Sequence, residues 1–147
     1  MTITTTNQGP VTRITLNNPD KRNAFDNTII EALIDAFEQA GADADTRVIV
    51  LDAAGKHFSA GADLNWMRAM GELDADQNRA DARRLAALMS NIDGAAKPVI
   101  ARVQGAAFGG ALGLICAADI AVAADDARFC LSEVKLGILP AVIAPYV

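Results

Sequence analysis

The segment that decides the fold is VIARVQGAAFGGALGLICA, residues 99–117. Its first five residues are mostly apolar and β-branched, which predicts a buried strand over residues 99–103. A glycine-rich loop over residues 104–110 follows, and residues 110–117 are too apolar for a helix on the protein surface. A buried strand that leads through a small-residue loop into a buried helix is typical of α/β proteins, and this is the fold class that we expect.

The same arrangement occurs earlier in the chain. Residues 47–53 (RVIVLDA) form an apolar run that is typical of a strand buried on both faces, and a polar, glycine-containing loop over residues 55–63 follows it. Apolar residues at three- and four-residue steps predict an amphipathic helix before this strand, capped by Asp26 or Asn27 and ending at Gly41. Because a strand that follows a helix favours a parallel crossover, we expect parallel strands.

The rest of the chain is interpreted as part of the same unit. We expect a β-hairpin, a second amphipathic helix and two further short strands. They fall over residues 3–7 with 11–16, over 75–92, and over 120–123 and 127–131. A length of 147 residues is usual for one domain, so residues 1–147 are predicted to form a single domain.

Composition excludes several classes of function. The formal net charge is −5 and aromatic residues make up 5% of the chain, so it has neither the basic stripe nor the stacking surface of a nucleic-acid-binding protein. The longest apolar run, residues 105–118, is shorter than the roughly 20 residues of a membrane-spanning helix. Residues 1–8 resemble no secretion signal, which predicts a cytoplasmic protein in which Cys116 and Cys130 are buried thiols rather than a disulfide.

Motifs for nucleotide or metal chemistry are absent from the sequence. No GxxxxGK[ST], GxSxG or HExxH motif occurs and no cluster has metal-ligand spacing, so neither a metal nor a prosthetic group is expected. The two small-residue loops remain as candidates. Because small residues let a ligand oxygen approach the backbone closely, converging N–H groups from two such loops can form an oxyanion hole. The alternative is that the glycines only permit close packing of strand and helix.

Five blocks of sequence occur in a fixed order. They are NPDKRNAF (residues 18–25), FSAGADL (58–64), GAAFGGA (105–111), DIAVA (119–123) and FCLSEVKLG (129–137). They resemble the successive signature blocks of the enoyl-CoA hydratase/isomerase, or crotonase, superfamily, and look most like bacterial hydratases for 3-methylglutaconyl-CoA and carboxygeranoyl-CoA. The resemblance implies an α/β crotonase-like spiral of β-β-α units with parallel buried strands.

The resemblance also implies roles for individual residues. The backbone N–H groups of Ala62 and Gly110 would bind the thioester carbonyl oxygen, and Glu133 would carry a proton. The residues implied in binding coenzyme A and its acyl group are Lys21, Arg22, Ala24, Ala60, Asp63, Leu64 and Gly109. Coenzyme A thioester would be the substrate, and no bound cofactor is implied.

Each of these roles has an alternative in the residues themselves. Glu133 lies in an apolar stretch that suits proton transfer, but it is equally a carboxylate paired with Lys135. Lys21 and Arg22 are alternatively a solvated turn. Three residues near the loops are not assigned to catalysis. They are His57, interpreted as a loop residue near the ligand mouth, and Trp66 and Met67, interpreted as lining the acyl pocket or the core.

One position departs from the family pattern. Two-glutamate hydratases of this family carry their other glutamate where this chain has Gly113, which leaves one proton-transfer group, as in isomerases that move a proton between C2 and C4. We expect a hydro-lyase that adds water to a branched or carboxylated enoyl-CoA. The alternatives are a Δ3,Δ2-enoyl-CoA isomerase and a catalytically silent acyl-CoA-binding protein.

The apolar end of the chain predicts an incomplete domain. Residues 136–147 (LGILPAVIAPYV) carry no charge, and a surface of this kind needs a cover. Members of the resembled family are longer and continue into a C-terminal helical region that covers the site and builds trimers. We expect that region to be absent from this chain, and we expect a homotrimer or a hexamer made of two trimers, with neither a nucleic acid nor a membrane as partner.

Overall fold

A computed structural model describes residues 2–147 of the chain. The elements alternate between strands and helices, as the apolar patterns predict. The strands are β1 Ile3–Gln8, β2 Val11–Leu16, β3 Val48–Ala53, β4 Val99–Val103, β5 Ala106–Phe108, β6 Ile120–Ala123 and β7 Arg128–Cys130. The α-helices are α1 Asn27–Ala42, α2 Leu64–Met70, α3 Ala75–Asp93 and α4 Ala111–Cys116, and 3-10 helices cover Pro19–Lys21 and Ser132–Leu136.

The main sheet has the strand order β1-β2-β3-β4-β6. Strands β1 and β2 form the predicted antiparallel hairpin, and β2, β3, β4 and β6 pair in parallel. Ile14, Leu51, Ala101 and Ala121 lie in register across the four parallel strands. Strands β5 and β7 form a second, two-stranded parallel sheet. The predicted parallel crossovers are therefore confirmed.

Helices α1 and α3 cover one face of the main sheet. Leu33 of α1 and Leu88 of α3 are fully buried and belong to the same hydrophobic core as Ile49 and Leu51 of β3. The opposite face is more open, because Val48 and Val50 of β3 are only half-buried. The expectation that this strand is buried on both faces is met only in part, because Leu51, Asp52 and Ala53 are buried whereas Val48 and Val50 are half-buried.

The open face of the sheet holds a charged cluster. Asp52 is 4% exposed and accepts a hydrogen bond from Thr15 Oγ1 at 2.6 Å. Arg13 forms an ion pair with the same carboxylate, and Arg102 Nη1 lies 3.6 Å from its Oδ2. A buried carboxylate is costly unless it is paired, and this one is satisfied by three partners from the two neighbouring strands.

Helix ends follow local capping chemistry. Asp26 begins α1, because its Oδ1 accepts a hydrogen bond from the Ile29 N–H at 3.1 Å. The prediction that Gly41 ends this helix is wrong, since the helix continues to Ala42 and Asp43 supplies the cap. Gly41 fits inside the helix because it keeps helical geometry there, and no positive φ is needed.

The two cysteines differ from the prediction of buried thiols. Cys116 is exposed and Cys130 is half-buried, and both are free thiols. Cys116 is the last residue of α4, where the apolar pattern places it on the outer side of an otherwise buried helix. Partial burial raises the pKa of the Cys116 thiol.

Candidate active site

The two small-residue loops run side by side. The Ser59 N–H donates to the Ala106 carbonyl at 3.1 Å, and the Phe108 N–H donates back to the Ser59 carbonyl at 3.0 Å. Gly61 has a φ of +87°, and a Cβ added there would lie 2.5 Å from the Phe108 carbonyl oxygen and 3.5 Å from the Gly110 nitrogen. Only glycine fits such an approach, and the approach places residue 62 beside Gly110.

Two backbone donors remain free at this junction. The Phe25 N–H donates to the Gly61 carbonyl at 3.0 Å and the Asp63 N–H to the Phe25 carbonyl at 2.9 Å, so the Ala62 N–H between them points to the other side. Gly110 is the N-cap of α4, where an N–H has no intrahelical partner. Within residues 2–147 neither Ala62 nor Gly110 donates its N–H to another backbone or side-chain atom.

Both donors line one cavity of about 180 Å³, and Glu133 lines it with them. Glu133 lies in the 3-10 helix Ser132–Leu136, which the Gly109 N–H ties to the loop by donating to the Cys130 carbonyl at 2.8 Å. A Cβ on Gly109 would lie 3.3 Å from Glu133 Oε1, so the carboxyl group sits against the loop. The structure thus brings Ala62, Gly110 and Glu133 together.

The carboxylate of Glu133 is available for chemistry. Its Oε2 is buried and has no hydrogen-bond partner in the described part of the chain. Lys135 forms no ion pair with it among residues 2–147, so the alternative of a carboxylate paired with Lys135 is not what the structure shows. A buried oxygen without a partner is free to accept a proton from a ligand.

The remaining wall of this cavity is apolar. We call this cavity the acyl cavity, after the role that the resemblance implies for it. Apart from Ala62, Gly110 and Glu133, it is lined by Phe25, Trp66, Met67, Met70, Leu85 and residues 138–143. Glu133 is the one charged side chain among these described residues, and Trp66 and Met67 line the cavity as predicted. Apolar walls exclude water, so a charge that develops inside depends on the few polar groups present.

The packing around Gly113 is tight. A Cβ at this position would lie 2.4 Å from Ile143 Cγ2 and 3.0 Å from Met89 Sδ. Met89 is fully buried and Ile143 is 2% exposed, so neither side chain has room to move away. The packing of Ile143 and Met89 therefore leaves no room for a side chain at residue 113.

A second depression lies on the other side of the same loops, and we call it the basic groove. Its volume is about 430 Å³, and Arg22, Lys56, His57 and Arg128 line it together with Asp126. Ala60, Gly105, Ala106 and Phe108 complete its wall. Sequence reasoning missed Lys56 and Arg128. Lys56 lies in the first loop, but Arg128 is distant in sequence and comes beside the second loop only because β7 pairs with β5.

The predicted binding residues do not all line the same cavity. Arg22 and Ala60 line the basic groove. Lys21, Ala24 and Asp63 border a different cavity, with Lys21 Nζ 4.0 Å from Asp63 Oδ2.

Backbone geometry separates these residues. Lys21 ends the 3-10 helix, and the left-handed backbone at Arg22 and Asn23, both with φ of 52°, reverses the chain and turns Arg22 away from Lys21. Leu64 lines a further cavity next to the acyl cavity. The structure therefore places the predicted binding residues around more than one cavity.

Asp63 has a structural task in the same region. Its Oδ1 accepts hydrogen bonds from the N–H groups of Asn65 at 2.8 Å and Trp66 at 3.1 Å, which begins helix α2. The hydrogen bond from Trp66 is the largest influence that lowers the pKa of the Asp63 carboxyl group. Ionised Asp63 therefore holds Trp66 by its backbone at the wall of the acyl cavity.

Asn23 organises the first loop, and sequence reasoning assigned it no role. It is 2% exposed, and its side-chain amide donates to the carbonyl groups of Ala54 and His57, both at 2.9 Å. Its own carbonyl accepts a hydrogen bond from Ser59 Oγ at 2.8 Å. The available signal was the residue type, because asparagine tolerates the left-handed backbone better than other non-glycine residues.

His57 lines the basic groove, as its prediction near the ligand mouth implies. Its Nδ1 accepts a hydrogen bond from the Ala106 N–H at 3.1 Å, so the imidazole holds the second loop in place. Among residues 2–147 no group of three or more His, Cys, Asp or Glu side chains is arranged to hold a metal ion. None of the helices in the same part of the chain has the length and apolar character needed to cross a bilayer.

The fold and the site together define a class of protein. It is an α/β protein in which two free backbone donors and one carboxylate face an apolar cavity, with a basic groove on the other side of the donor loops. The chain belongs to the enoyl-CoA hydratase/isomerase family, whose sequence profile matches residues 6–147.

Individual relatives agree with this assignment. An enoyl-CoA hydratase from Shewanella pealeana has the same fold, with a TM-score of 0.97 and 53% identity over 100% of this chain and 56% of that chain. The chain is 38% identical to the 2,3-dehydroadipyl-CoA hydratase of Escherichia coli K12, over 90% of this chain and 50% of the relative. It is 34% identical to the mitochondrial Delta(3,5)-Delta(2,4)-dienoyl-CoA isomerase of Mus musculus, over 91% of this chain and 43% of the relative.

These comparisons confirm the predicted crotonase-like α/β fold and the superfamily. The chain spans about half the length of the curated relatives it matches. The relatives include both hydratases and isomerases, so the family contains enzymes of both kinds.

Proposed function

We propose that the protein is an enoyl-CoA hydratase that adds water to the α,β double bond of an enoyl-CoA thioester. One observation carries this proposal. This chain belongs to the family, and one apolar cavity is lined by Ala62 and Gly110, whose N–H groups are free, and by Glu133, whose Oε2 has no partner. Donors for a developing oxyanion and a group that moves a proton are the two requirements of this reaction.

The backbone donors act on the thioester oxygen. When water adds at C3, the electron pair of the double bond moves toward the thioester and negative charge develops on its carbonyl oxygen. The N–H groups of Ala62 and Gly110 donate to that oxygen and stabilise the charge most strongly after it has formed. Loss of one donor of this kind typically costs about 2.7–4 kcal/mol of barrier.

Glu133 moves the proton. Its carboxylate accepts a proton from the attacking water as the water oxygen bonds to C3, and the resulting carboxylic acid then gives that proton to C2 of the enolate. One carboxylate thus completes the addition, and atoms and charge balance without a second glutamate. The apolar wall keeps other water away from the enolate.

The basic groove is proposed to hold the phosphate-bearing end of coenzyme A. Arg22, Lys56 and Arg128 supply positive charge there in an acidic chain, and Ala60 leaves room for the ligand beside the loop. Lys21, Ala24 and Asp63 lie outside this groove, and we propose that they bind coenzyme A at the neighbouring cavity that they border. Gly109 keeps its proposed place beside the reacting group, against Glu133, and Leu64 lies beside the acyl end.

The acyl group is proposed to be branched or carboxylated. Apolar walls suit a branched chain, and the neighbouring cavity shares Met67 and Ile138 with the acyl cavity and has Arg68 on its border. Arg68 is the charged residue there, and a guanidinium group suits a carboxylate at the far end of an acyl chain. The dicarboxylic substrate in the name of the Escherichia coli relative supports the same class.

A Δ3,Δ2-enoyl-CoA isomerase is the second candidate, and the packing of Ile143 against Gly113 favours it. With no room for a side chain at residue 113, Glu133 is the one acid/base group lining the acyl cavity among the described residues. In this reaction Glu133 would take a proton from C2 of the 3-enoyl-CoA and return it to C4, while the same backbone donors stabilise the intermediate dienolate.

The assignment is tested by following the absorbance of the conjugated enoyl-thioester after adding the protein to 3-methylglutaconyl-CoA or crotonyl-CoA in ¹⁸O-labelled water. A hydratase consumes the absorbance and places ¹⁸O at C3. We expect Glu133→Gln to lower kcat about 10²–10⁴-fold with little change in CoA affinity. Lys135→Gln, on the same 3-10 helix, is the matched control and should leave kcat unchanged.

Other outcomes identify the alternatives. Conversion of a 3-enoyl-CoA without ¹⁸O incorporation would establish the isomerase. Binding of acetoacetyl-CoA without turnover of any enoyl-CoA would establish a silent acyl-CoA-binding protein. Equal rates for Glu133→Gln and the unaltered protein would remove Glu133 from the mechanism.

We also propose that residues 1–147 are the single N-terminal core domain of a cytoplasmic protein that works as a homotrimer or hexamer. The support is the row of exposed apolar side chains near the end of the chain, which includes Phe129, Val134 and Leu139. Such a surface needs a cover. Light scattering coupled to size-exclusion chromatography tests the assembly, and a monodisperse monomer would contradict it.

A further inference from the structure

Ser59 is a fully buried polar residue between the two small-residue loops, and the proposed reaction does not use it. Its Oγ donates a hydrogen bond to the Asn23 carbonyl at 2.8 Å and accepts one from the Gly61 N–H at 3.0 Å. A hydroxyl group that is buried and already donates its one proton has no access to a ligand. Any influence of Ser59 on a bound thioester must therefore pass through the residues that it holds.

The backbone of Ser59 is fixed to the second loop. Its N–H donates to the Ala106 carbonyl at 3.1 Å, and its carbonyl accepts from the Phe108 N–H at 3.0 Å. Because both backbone groups are paired with β5, the hydroxyl group extends from a fixed point. Ser59 thus joins three parts of the chain, which are the turn at Asn23, the second loop and Gly61.

Gly61 is the residue that depends most on such a contact. Its φ is +87°, and glycine populates more backbone conformations than any other residue because it has no Cβ. Ser59 Oγ holds the Gly61 N–H, and the Phe25 N–H holds the Gly61 carbonyl at 3.0 Å. These two hydrogen bonds lie on either side of φ and ψ of Gly61, so together they fix both dihedral angles.

The Gly61 carbonyl belongs to the same peptide group as the Ala62 N–H. A trans peptide group is planar, so its carbonyl and its N–H point in opposite directions. The direction of the Ala62 N–H therefore follows from the backbone conformation of Gly61. A displacement at the Gly61 N–H turns the donor that Ala62 presents beside Gly110.

We propose that Ser59 is a positioning residue whose hydroxyl group fixes the Gly61 backbone and so directs the Ala62 N–H at the thioester oxygen. The inference rests on the proposed function, because the direction of this N–H matters only if it donates to a thioester. The hydrogen bond between Gly61 and Ser59 does not depend on any activity. Without the acceptor the buried Gly61 N–H is unpaired, which favours a shift of the loop toward another partner.

The first test uses acetoacetyl-CoA, a 1,3-dicarbonyl thioester whose enolate absorbs more strongly in the near ultraviolet than its neutral form. Donors to the thioester oxygen favour the enolate, so the absorbance of the bound ligand measures their placement without turnover. We expect Ser59→Ala to lower the ratio of enolate to neutral bound ligand about fivefold, the factor for one ordinary hydrogen bond. The Kd of free CoA should not change. An enolate ratio equal to that of the unaltered protein overturns the inference.

The second test separates positioning from a loss of stability. Thr46→Val is the matched control, because it removes another buried hydroxyl group, which lies 2.6 Å from Thr12 Oγ1 at the opposite end of β3 from the loops. Both variants should be less stable in urea. Only Ser59→Ala should lower kcat for crotonyl-CoA, by about tenfold, which is less than the roughly 100-fold loss when an oxyanion donor is removed outright. Equal losses of kcat in the two variants would show a purely structural role and contradict the proposal.

Ser59→Cys keeps a side chain of similar size with a weaker donor and acceptor, so its enolate ratio should lie between those of Ser59→Ala and the unaltered protein. Should Ser59→Ala fail to fold, Ser59→Cys carries the comparison with Thr46→Val, and an unchanged enolate ratio in it would overturn the inference.

The two tests also separate the proposals. If no enoyl-CoA is turned over, the proposed hydratase fails, while the enolate of acetoacetyl-CoA still decides the role of Ser59. Absence of enolate absorbance in the unaltered protein would overturn the inference, since the Ala62 N–H would then not donate to a thioester oxygen.

Discussion

The acyl cavity and the basic groove are built from the two sides of the same loops, and they differ in almost every physical property. Ala62 and Gly110 face the cavity, whereas Ala60 and Gly105 face the groove. The cavity has about 180 Å³ and one charged side chain, and the groove has about 430 Å³ and several. Within each loop, one residue therefore faces the cavity and another faces the groove.

This difference separates the residues that we expect to affect the reaction from those that we expect to affect ligand binding. In the apolar cavity electrostatic interactions are weakly screened, so a displaced donor changes the barrier of the reaction directly. In the groove water and salt screen each cation, so its loss changes mainly the affinity for an anionic ligand. Substitutions in the cavity should therefore act on kcat, and substitutions in the groove on Kd.

The largest effect is expected at Gly110. A Cβ there would lie 2.9 Å from Phe25 Cζ, and Phe25 is fully buried, so the loop that carries the Gly110 N–H must shift. We expect Gly110→Ala to lower kcat about 100-fold, because a displacement near 1 Å in a catalytic group can cost that much. Gly41→Ala, where the added Cβ has no neighbour within 4 Å, is the control. An unchanged kcat in Gly110→Ala would remove the distinction between cavity and groove.

Gly113 tests the packing under the cavity. Its added Cβ would meet Ile143 Cγ2 at 2.4 Å, so we expect Gly113→Ala to lower the free energy of unfolding by about 1–3 kcal/mol. The same change at Gly41, inside α1, should raise it by about 0.5–1 kcal/mol. Urea denaturation followed by circular dichroism measures both. A Gly113→Ala variant that is more stable than the unaltered protein would show that residue 113 has room for a side chain.

The groove is expected to respond more weakly. Lys56→Gln and Arg128→Gln should each raise the Kd of CoA by up to about fivefold, since an exposed ion pair contributes about 1 kcal/mol or less. The effect should shrink at 1 M salt, where screening acts within about 3 Å, and kcat should not change. Calorimetric titration at two salt concentrations measures it, with Arg79→Gln on α3 as the control. A salt-independent change in kcat would place these cations in the chemistry.

The smallest effects concern two aspartates, Asp63 at the start of α2 and Asp81 on α3. The pKa of Asp63 is lowered in the folded protein by its hydrogen bonds, with the bond from Trp66 first, so its ionised form stabilises the fold above the ordinary value of 3.8 and this contribution is lost as pH falls through the folded pKa. Asp63→Ala should therefore cost about 1 kcal/mol at neutral pH, as for other N-caps, and less in acid.

Asp81 should show the opposite sign. Desolvation raises its pKa above 3.8, so the folded state binds the proton more tightly and stability falls as pH rises from that value through the folded pKa. The urea midpoint of Asp81→Asn relative to the unaltered protein should then increase with pH, whereas that of Asp63→Ala should decrease. Parallel pH profiles for the two variants would show that both carboxylates have the same environment.

Much of the fold was predictable because each helix and strand depends on the local pattern of apolar and polar residues. The spacing of apolar residues predicted α1 and α3 within one or two residues at each end, and the β-branched runs predicted the hairpin and the parallel strands. The errors at Gly41 and at the two cysteines come from questions that local pattern does not decide, namely how far a helix continues and which side of it faces solvent.

The sequence by itself determined the class of fold, the family and the three residues at the centre of the candidate site, Ala62, Gly110 and Glu133. Strands, loops, helices and the order of motifs can all be recognised from short stretches of sequence. The tertiary structure decided the rest. It brought Lys56 and Arg128 into one groove and turned Lys21 away from Arg22. It also showed that Ile143 lies against Gly113. These relations join residues from distant parts of the chain, and only the packing of loops and helices on the sheet sets the distances between them.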